Sequence, residues 1–190
     1  MSATPLDPRI ARTRSLLQQA LLELARERPL ETIAVADLAD HAGVNRSTFY
    51  QHYSDKETLL ADALDAQAAA GGADLSELEA AAGGGTPPPL VVRYTRHVAE
   101  HAELYRLALG EHGSTIAVAR LRRRISAIAA RGYALYGQDE AAIGMPIEIA
   151  AASVAGSLLG MISAWLESAD PVAPEQMALW IWTELSGPSC

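Results

Sequence analysis

A chain of 190 residues, 49% of them apolar, can bury a core of its own and suits one or two domains. Its only cysteine is Cys190 at the C-terminus, which excludes an internal disulfide framework or a cysteine-built zinc cluster and fits a reducing cytoplasm. The formal charge of −8 does not by itself suggest a nucleic-acid partner, but residues 1–56 hold seven Arg/Lys against seven Asp/Glu, so the acidic excess falls entirely after Lys56. That asymmetry divides the chain into two parts with different tasks, 1–56 and 57–190. Ala, Leu, Arg and Glu dominate and no useful stretch alternates as a strand does, so the expected fold class is all-α. The N-terminal sequence MSATPLDPRIART lacks the apolar centre of a signal peptide.

In chain order, Ile10, Thr13, Leu16, Leu17, Ala20, Leu21 and Leu24 recur at spacings of three and four, which predicts a first helix over 9–28, ended by Pro29. A second helix is expected over 35–42, stopped at Gly43. Asn45 is expected to cap a short third helix reaching His52. Ser54 and Glu57 have the spacing of a capping box, opening a fourth helix to about residue 70. Gly71, Gly72 and the run AAAGGGTPPP at 80–89 read as linkers with a short helix between them. Beyond them, helices are expected over 90–109 (with a break near Ala102), 114–136, 146–168 and 174–185. The uncharged stretch 149–166 is 18 residues long, at the lower edge of a membrane span, but it is built largely of Ala, Ser and Gly and bounded by Glu148 and Glu167. A buried helix of a protein without a membrane segment is the expectation.

A helix, a glycine turn and a short polar helix make the pattern of a helix-turn-helix, whose second helix enters the major groove of DNA with its N-terminus leading. GVNRSTFYQHYSDK, residues 43–56, supplies the chemistry. Arg46 has the planar fork that reaches both acceptors of a guanine. Ser47 and Thr48 bring short hydroxyls, and Tyr50 a ring and a hydroxyl one turn after Arg46. His52 and Lys56 come where the DNA backbone would pass, Lys56 in the first turn of the fourth helix. Phe49 and Tyr53, four apart, are expected to anchor the short helix. Arg9, Arg12 and Arg14 are further candidates for phosphate.

The segment TIAVADLADHAGVNRSTFYQHYSDKETLL resembles the DNA-binding signature of the TetR family of bacterial transcriptional regulators (TetR/AcrR-like). The match runs through Val35, Asp37, Leu38, Ala39, Ala42, Gly43, Val44, Thr48, Phe49, Tyr50, His52 and Lys56. Ala34 stands where that pattern often has a capping Thr, and Tyr53 where it has Phe. The resemblance implies an N-terminal three-helix helix-turn-helix domain followed by a larger helical regulatory and dimerisation domain. It implies base or backbone contacts from Arg46, Ser47, Thr48 and Tyr50, and phosphate contacts from His52 and Lys56. It further implies a homodimer on double-stranded operator DNA, and a small-molecule inducer bound in the C-terminal domain.

The C-terminal part offers its own reasons for a dimer. Ala152, Gly156, Gly160 and Ala164 recur every four residues, a small-residue stripe on which another helix can lie closely, and Trp180 and Ile181 add apolar surface on the last helix. Tyr94, His97, Tyr105, Met161 and Trp165 are candidates to line a pocket for an apolar or amphipathic inducer. His97 and His101 have the spacing of a metal pair but lack a further ligand, so no metal is expected. The run RLRRR, 120–124, reads as a helix face paired with the acidic excess. No nucleophile elbow, phosphate loop or defensible histidine–carboxylate set is present, so neither catalysis nor a cofactor is expected. The reading is a cytoplasmic repressor of palindromic operators. A regulator without a small-molecule inducer, or a helical ligand-binding protein that no longer binds DNA, are the alternatives.

Overall fold

The computed structural model describes residues 7–70, 86–110, 113–135 and 137–186. Most of the linker-like region, with the short helix expected inside it, and Cys190 lie outside them. Among the described residues the regular structure is helical, with no strand. The contacts divide the chain into a unit ending at Ala63 and one beginning at Leu64.

In the N-terminal unit, α1 spans Pro8–Glu27. The Asp7 carboxylate caps it by accepting from the Arg9 N–H at 2.9 Å, and Pro8 occupies the first turn, where its missing N–H loses nothing. Leu17, Ala20, Leu21 and Leu24 form its buried face. A single 3-10 turn, Leu30–Thr32, leads to α2, Val35–His41. Then come α3, Arg46–His52, and α4, Lys56–Ala70. Leu17, Leu21, Leu38, Phe49, Leu59 and Leu60 are fully buried. The division falls within α4 rather than before it, because Leu59, Leu60 and Ala63 are buried and Asp62 is bonded to α1.

Two expected caps do not form. The Asn45 side chain makes no capping bond; its backbone carbonyl accepts from the Thr48 and Phe49 N–H groups instead. α4 is capped by Asp55, whose Oδ1 accepts from the Thr58 N–H at 2.6 Å. Ser54 donates its hydroxyl to the same carboxylate at 2.9 Å. Asp55 stands directly before the helix and carries the charged acceptor, the stronger partner for a helix N-terminus. At α2 the missing Thr hydroxyl is offset from the other direction: Asp37 Oδ2 accepts from the Ala34 N–H at 3.0 Å and from Arg28 at 2.6 Å.

The C-terminal unit contains α5 (Pro89–Glu100), α6 (Ala102–Leu109), α7 (Thr115–Leu135), α8 (Glu140–Ile143), α9 (Ile147–Glu167) and α10 (Pro174–Ser186). α7 packs along α9, and α10 along α5. The helix expected over 90–109 breaks at His101, whose backbone leaves helical geometry at φ −115°, ψ 31°. The four-residue α8 is too short for periodicity to reveal; Asp139 caps it and Gly144 ends it at φ 77°. Arg120 and Arg124 of the basic run pair with Asp65 at 2.9 and 2.7 Å. One helix, α9, is long and apolar enough to cross a membrane, and 33% of its most apolar window is buried within the chain.

His97 sits within a cluster of rings. It is 2% exposed, with Tyr94, His101 and Tyr105 around it and no hydrogen-bond partner for either ring nitrogen. Burial, followed by repulsion from His101, pushes its pKa down to about 4. An imidazole whose folded pKa lies below its unfolded value of about 6.5 leaves stability intact above that pH and withdraws it as the pH falls towards 4. The loss approaches ~3 kcal/mol at the lower limit. His97→Leu should flatten this window and leave stability at pH 7 unchanged or raised, since an unpartnered buried polar group gives way to an apolar one. Urea unfolding at pH 7 and pH 4.5 checks this: equal acid losses in both proteins would show that His97 does not drive the effect.

Candidate nucleic-acid interface

The turn between α2 and α3 depends on Gly43, at φ 67°, in the left-handed region where a side chain is strained. Around it the Gly43 N–H bonds the Asp40 carbonyl at 3.1 Å and the Val44 N–H bonds the Ala39 carbonyl at 2.9 Å, closing the end of α2. The chain leaves this turn through Asn45 in extended geometry and enters α3.

α3 has two faces. Phe49 is fully buried and the C-capping Tyr53 is 3% exposed, their rings 5.9 Å apart. Arg46, Ser47, Tyr50 and Gln51 are exposed; Thr48 and His52 are half-buried. Tyr50 stands edge-on to Phe49, and the Arg46 guanidinium lies over the Tyr50 ring, 5.8 Å from its centroid. The ring supports the guanidinium at the helix start by a cation–π contact. Gln51 was missed in the sequence. Its signal was its place one turn after Ser47, together with an amide able to read adenine.

Two basic residues expected at phosphates are engaged within the protein. Lys56 donates its ammonium to three backbone carbonyls, of Leu30 at 2.7 Å, Glu31 at 3.1 Å and Ile33 at 3.0 Å. An ammonium has three donors, so this set leaves none over. Lys56 therefore ties the start of α4 to the turn before α2. The cleft it borders, of about 360 Å³, also carries Glu31, Asp55 and Glu57, an acidic setting for a phosphate. Arg14 is paired with Asp62, which raises its pKa further. Arg9 and Arg12 are exposed on α1.

Residues 17–63 match the profile described as bacterial regulatory proteins, tetR family. That stretch carries the helix-turn-helix of the TetR type. The match lies within the N-terminal unit, and α3 is the second helix of that helix-turn-helix. An uncharacterised helix-turn-helix-type transcriptional regulator of Bacillus subtilis, YxbF, is 41% identical over 56 residues, which is 29% of this chain and 15% of that protein. The chain thus spans only a small part of that curated relative. Over nearly full length, the fold is similar to the crystal structure of Lin0861 from Listeria innocua (TM-score 0.69, 16% identity, 97% of this chain and 95% of that one). It is also similar to a TetR transcriptional regulator from Streptococcus agalactiae (TM-score 0.64, 18% identity, 93% and 95%).

Four of the five residues expected around an inducer pocket are buried. Tyr94, His97, Tyr105 and Trp165 are buried, Tyr94 and Tyr105 meet edge-to-face at 6.3 Å, and Trp165 donates its indole N–H to the Val172 carbonyl at 2.9 Å. Met161, on α9 with Trp165, is half-buried. Neither the cleft at Lys56 nor one of about 230 Å³ lined by Ala108, Gly110, Gly113, Thr115, Val118, Ala119 and Arg122 is lined by any of the five. Of the expected dimer residues, Ala152, Gly156, Gly160, Ala164 and Trp180 are exposed. Ile181 is 4% exposed and belongs to the chain's own core, because each step along α10 turns the side chain by about 100°, enough to carry it from the exposed Trp180 position to the buried face.

Lys56→Ala should lower the stability of the N-terminal unit by about 2 kcal/mol, since three carbonyls lose a charged donor. The slope of DNA affinity against salt should stay unchanged, because no phosphate contact is lost. Thermal melts and binding titrations across salt concentrations check both; a slope reduced by about one, with stability intact, would return Lys56 to the DNA backbone.

Proposed function

We propose that the protein is a homodimeric repressor that reads a palindromic operator with one α3 per half-site. The observation that supports this best is the two-sided character of α3, with Phe49 fully buried and Arg46, Ser47, Tyr50 and Gln51 exposed. A major groove about 12 Å wide admits such a helix. Arg46 leads at its N-terminal end and takes the acceptors of a guanine; Ser47, Tyr50 and Gln51 take neighbouring base edges. Thr48 and His52, half-buried at the sides, meet the backbone. Arg46→Ala should relax base preference at one position per half-site and weaken specific binding by roughly 1–3 kcal/mol. Selection from a random duplex pool, followed by titration, tests this, and an unchanged preferred sequence would remove Arg46 from base reading.

The dimer reading rests on α9. A Cβ added at Gly156 or Gly160 would meet nothing within 4 Å, so the chain's own packing does not require glycine at either position. Each mid-helix glycine lowers helix stability by about 1 kcal/mol relative to alanine. A second helix approaching closely would account for both. Ile149, Leu179 and Trp180, at 59%, 38% and 48% exposed, supply apolar surface for the same contact. Two-fold symmetry would then set the recognition helices at ~34–36 Å, one turn of DNA. Gly156→Leu and Gly160→Leu should preserve or raise helix content, yet abolish association and lower operator affinity. A folded variant that still sediments as a dimer would place the interface elsewhere.

Release by an apolar or amphipathic inducer remains part of the reading, acting by favouring the state with wrongly spaced recognition helices. The closed packing of Tyr94, His97, Tyr105 and Trp165 favours a second reading, a regulator without a small-molecule inducer. Screening metabolites for thermal stabilisation and then for operator release separates the two.

A further inference from the structure

α3 has seven residues, too few to be stable or to hold its own direction. Phe49 fixes its middle, but apolar burial is non-directional and leaves the helix free to roll about that ring. Hydrogen bonds carry direction, and one set of them meets the end of α3. The Tyr53 hydroxyl donates to Asp62 Oδ2 at 2.5 Å and accepts from Arg14 Nε at 3.2 Å. Asp62 Oδ2 also accepts from Gln18 Nε2 at 2.7 Å and from Arg14 Nε at 3.2 Å, while its other oxygen takes the second arm of the Arg14 fork. The guanidinium lies over the Tyr53 ring, 5.6 Å from its centroid. Four side chains thus join α1, the C-cap of α3 and α4 at a carboxylate that is 8% exposed.

A buried ionised group is a poor way to gain stability, since apolar residues of similar volume do as well or better. What it adds is a unique geometry. Tyr53 also departs from the Phe of the family pattern, so the hydroxyl on which the network closes is a property of this chain.

We propose that Tyr53, Asp62 and Arg14 are positioning residues for DNA reading: they fix the roll of α3 and hence the angle at which Arg46, Ser47, Tyr50 and Gln51 meet the bases. The inference rests on α3 being the reading helix. Asp62 is the hub. Its carboxyl is held below the ordinary aspartate range by Arg14 and Tyr53, against the opposing effect of burial, and so it remains an acceptor at neutral pH. Tyr53→Phe removes only the hydroxyl, leaving the ring in place and Asp62 bonded by Arg14 and Gln18.

The test uses the full chain and a duplex that the wild-type protein selects from a random pool, beside a scrambled duplex of equal length. Tyr53→Phe should bind the scrambled duplex as the wild type does, while its affinity for the selected duplex falls at least ~10-fold, the loss expected when a base contact is misaligned. Asp62→Asn should lower the same ratio, and the double variant should lose little beyond the greater single effect, since both act through one network. A folded Tyr53→Phe protein whose ratio of selected to scrambled affinity matches the wild type would overturn the positioning role while leaving the reading helix intact. A wild-type chain that selects no sequence would overturn both.

Discussion

Phe49 carries the N-terminal unit. A helix of two turns does not form alone in water, so α3 takes its existence from what its inner face buries. That face has one fully buried side chain, the only Phe in the chain, and losing such a residue costs about 3–5 kcal/mol. The other supports are arranged about it. Gly43 turns the chain so that Phe49 points inward, Tyr53 closes the C-terminal end, and Lys56 holds the turn before α2 against the start of α4. The exposed face can then be polar along its length without endangering the fold.

Charge in this unit serves structure before it serves DNA. Arg14 is bound to Asp62, Arg28 to Asp37 at 2.6 Å, and Lys56 to three carbonyls. Counting basic residues therefore overstates the positive surface available to a polyanion. Arg46 differs: its guanidinium lies over the Tyr50 ring, a contact that does not itself use a carboxylate or carbonyl acceptor. An acidic protein can bind DNA in this way because the field a phosphate meets is local, decaying within about 8–10 Å at ordinary salt.

The C-terminal unit shows the opposite economy of shape. Its aromatic residues close on one another, and His97 is sealed among them without partners. Small residues meanwhile lie exposed on α9, and a Cβ added at Gly156 or Gly160 would meet nothing within 4 Å among the described residues. A helix that is apolar on most of its circumference but only one-third buried in its own chain has surface still to cover. That contrast is the physical ground for looking outward from α9 for a partner before looking inward for a ligand.

Periodicity and punctuation in the sequence determined the helical class, the order of the longer helices and the polar, exposed face of α3. These are local properties: spacings of three and four define a face, Gly43 defines a turn, and Arg46 to Tyr50 share two turns whatever surrounds them. The break at His101 was legible to within a residue, while the four residues of α8 were too few to show a period. The partners of long side chains were decided only by tertiary structure. Lys56 and Arg14 carry the same charge whether they face phosphate or a carbonyl, and the choice depended on atoms about 25 and 48 positions away in the chain. The same holds for Asp55 over Ser54 as a cap, and for Ile181 turning inward beside an exposed Trp180. It holds again for Tyr94, His97, Tyr105 and Trp165, since a run of residues can say that a side chain is apolar, but the room left around it is set by every helix that packs there.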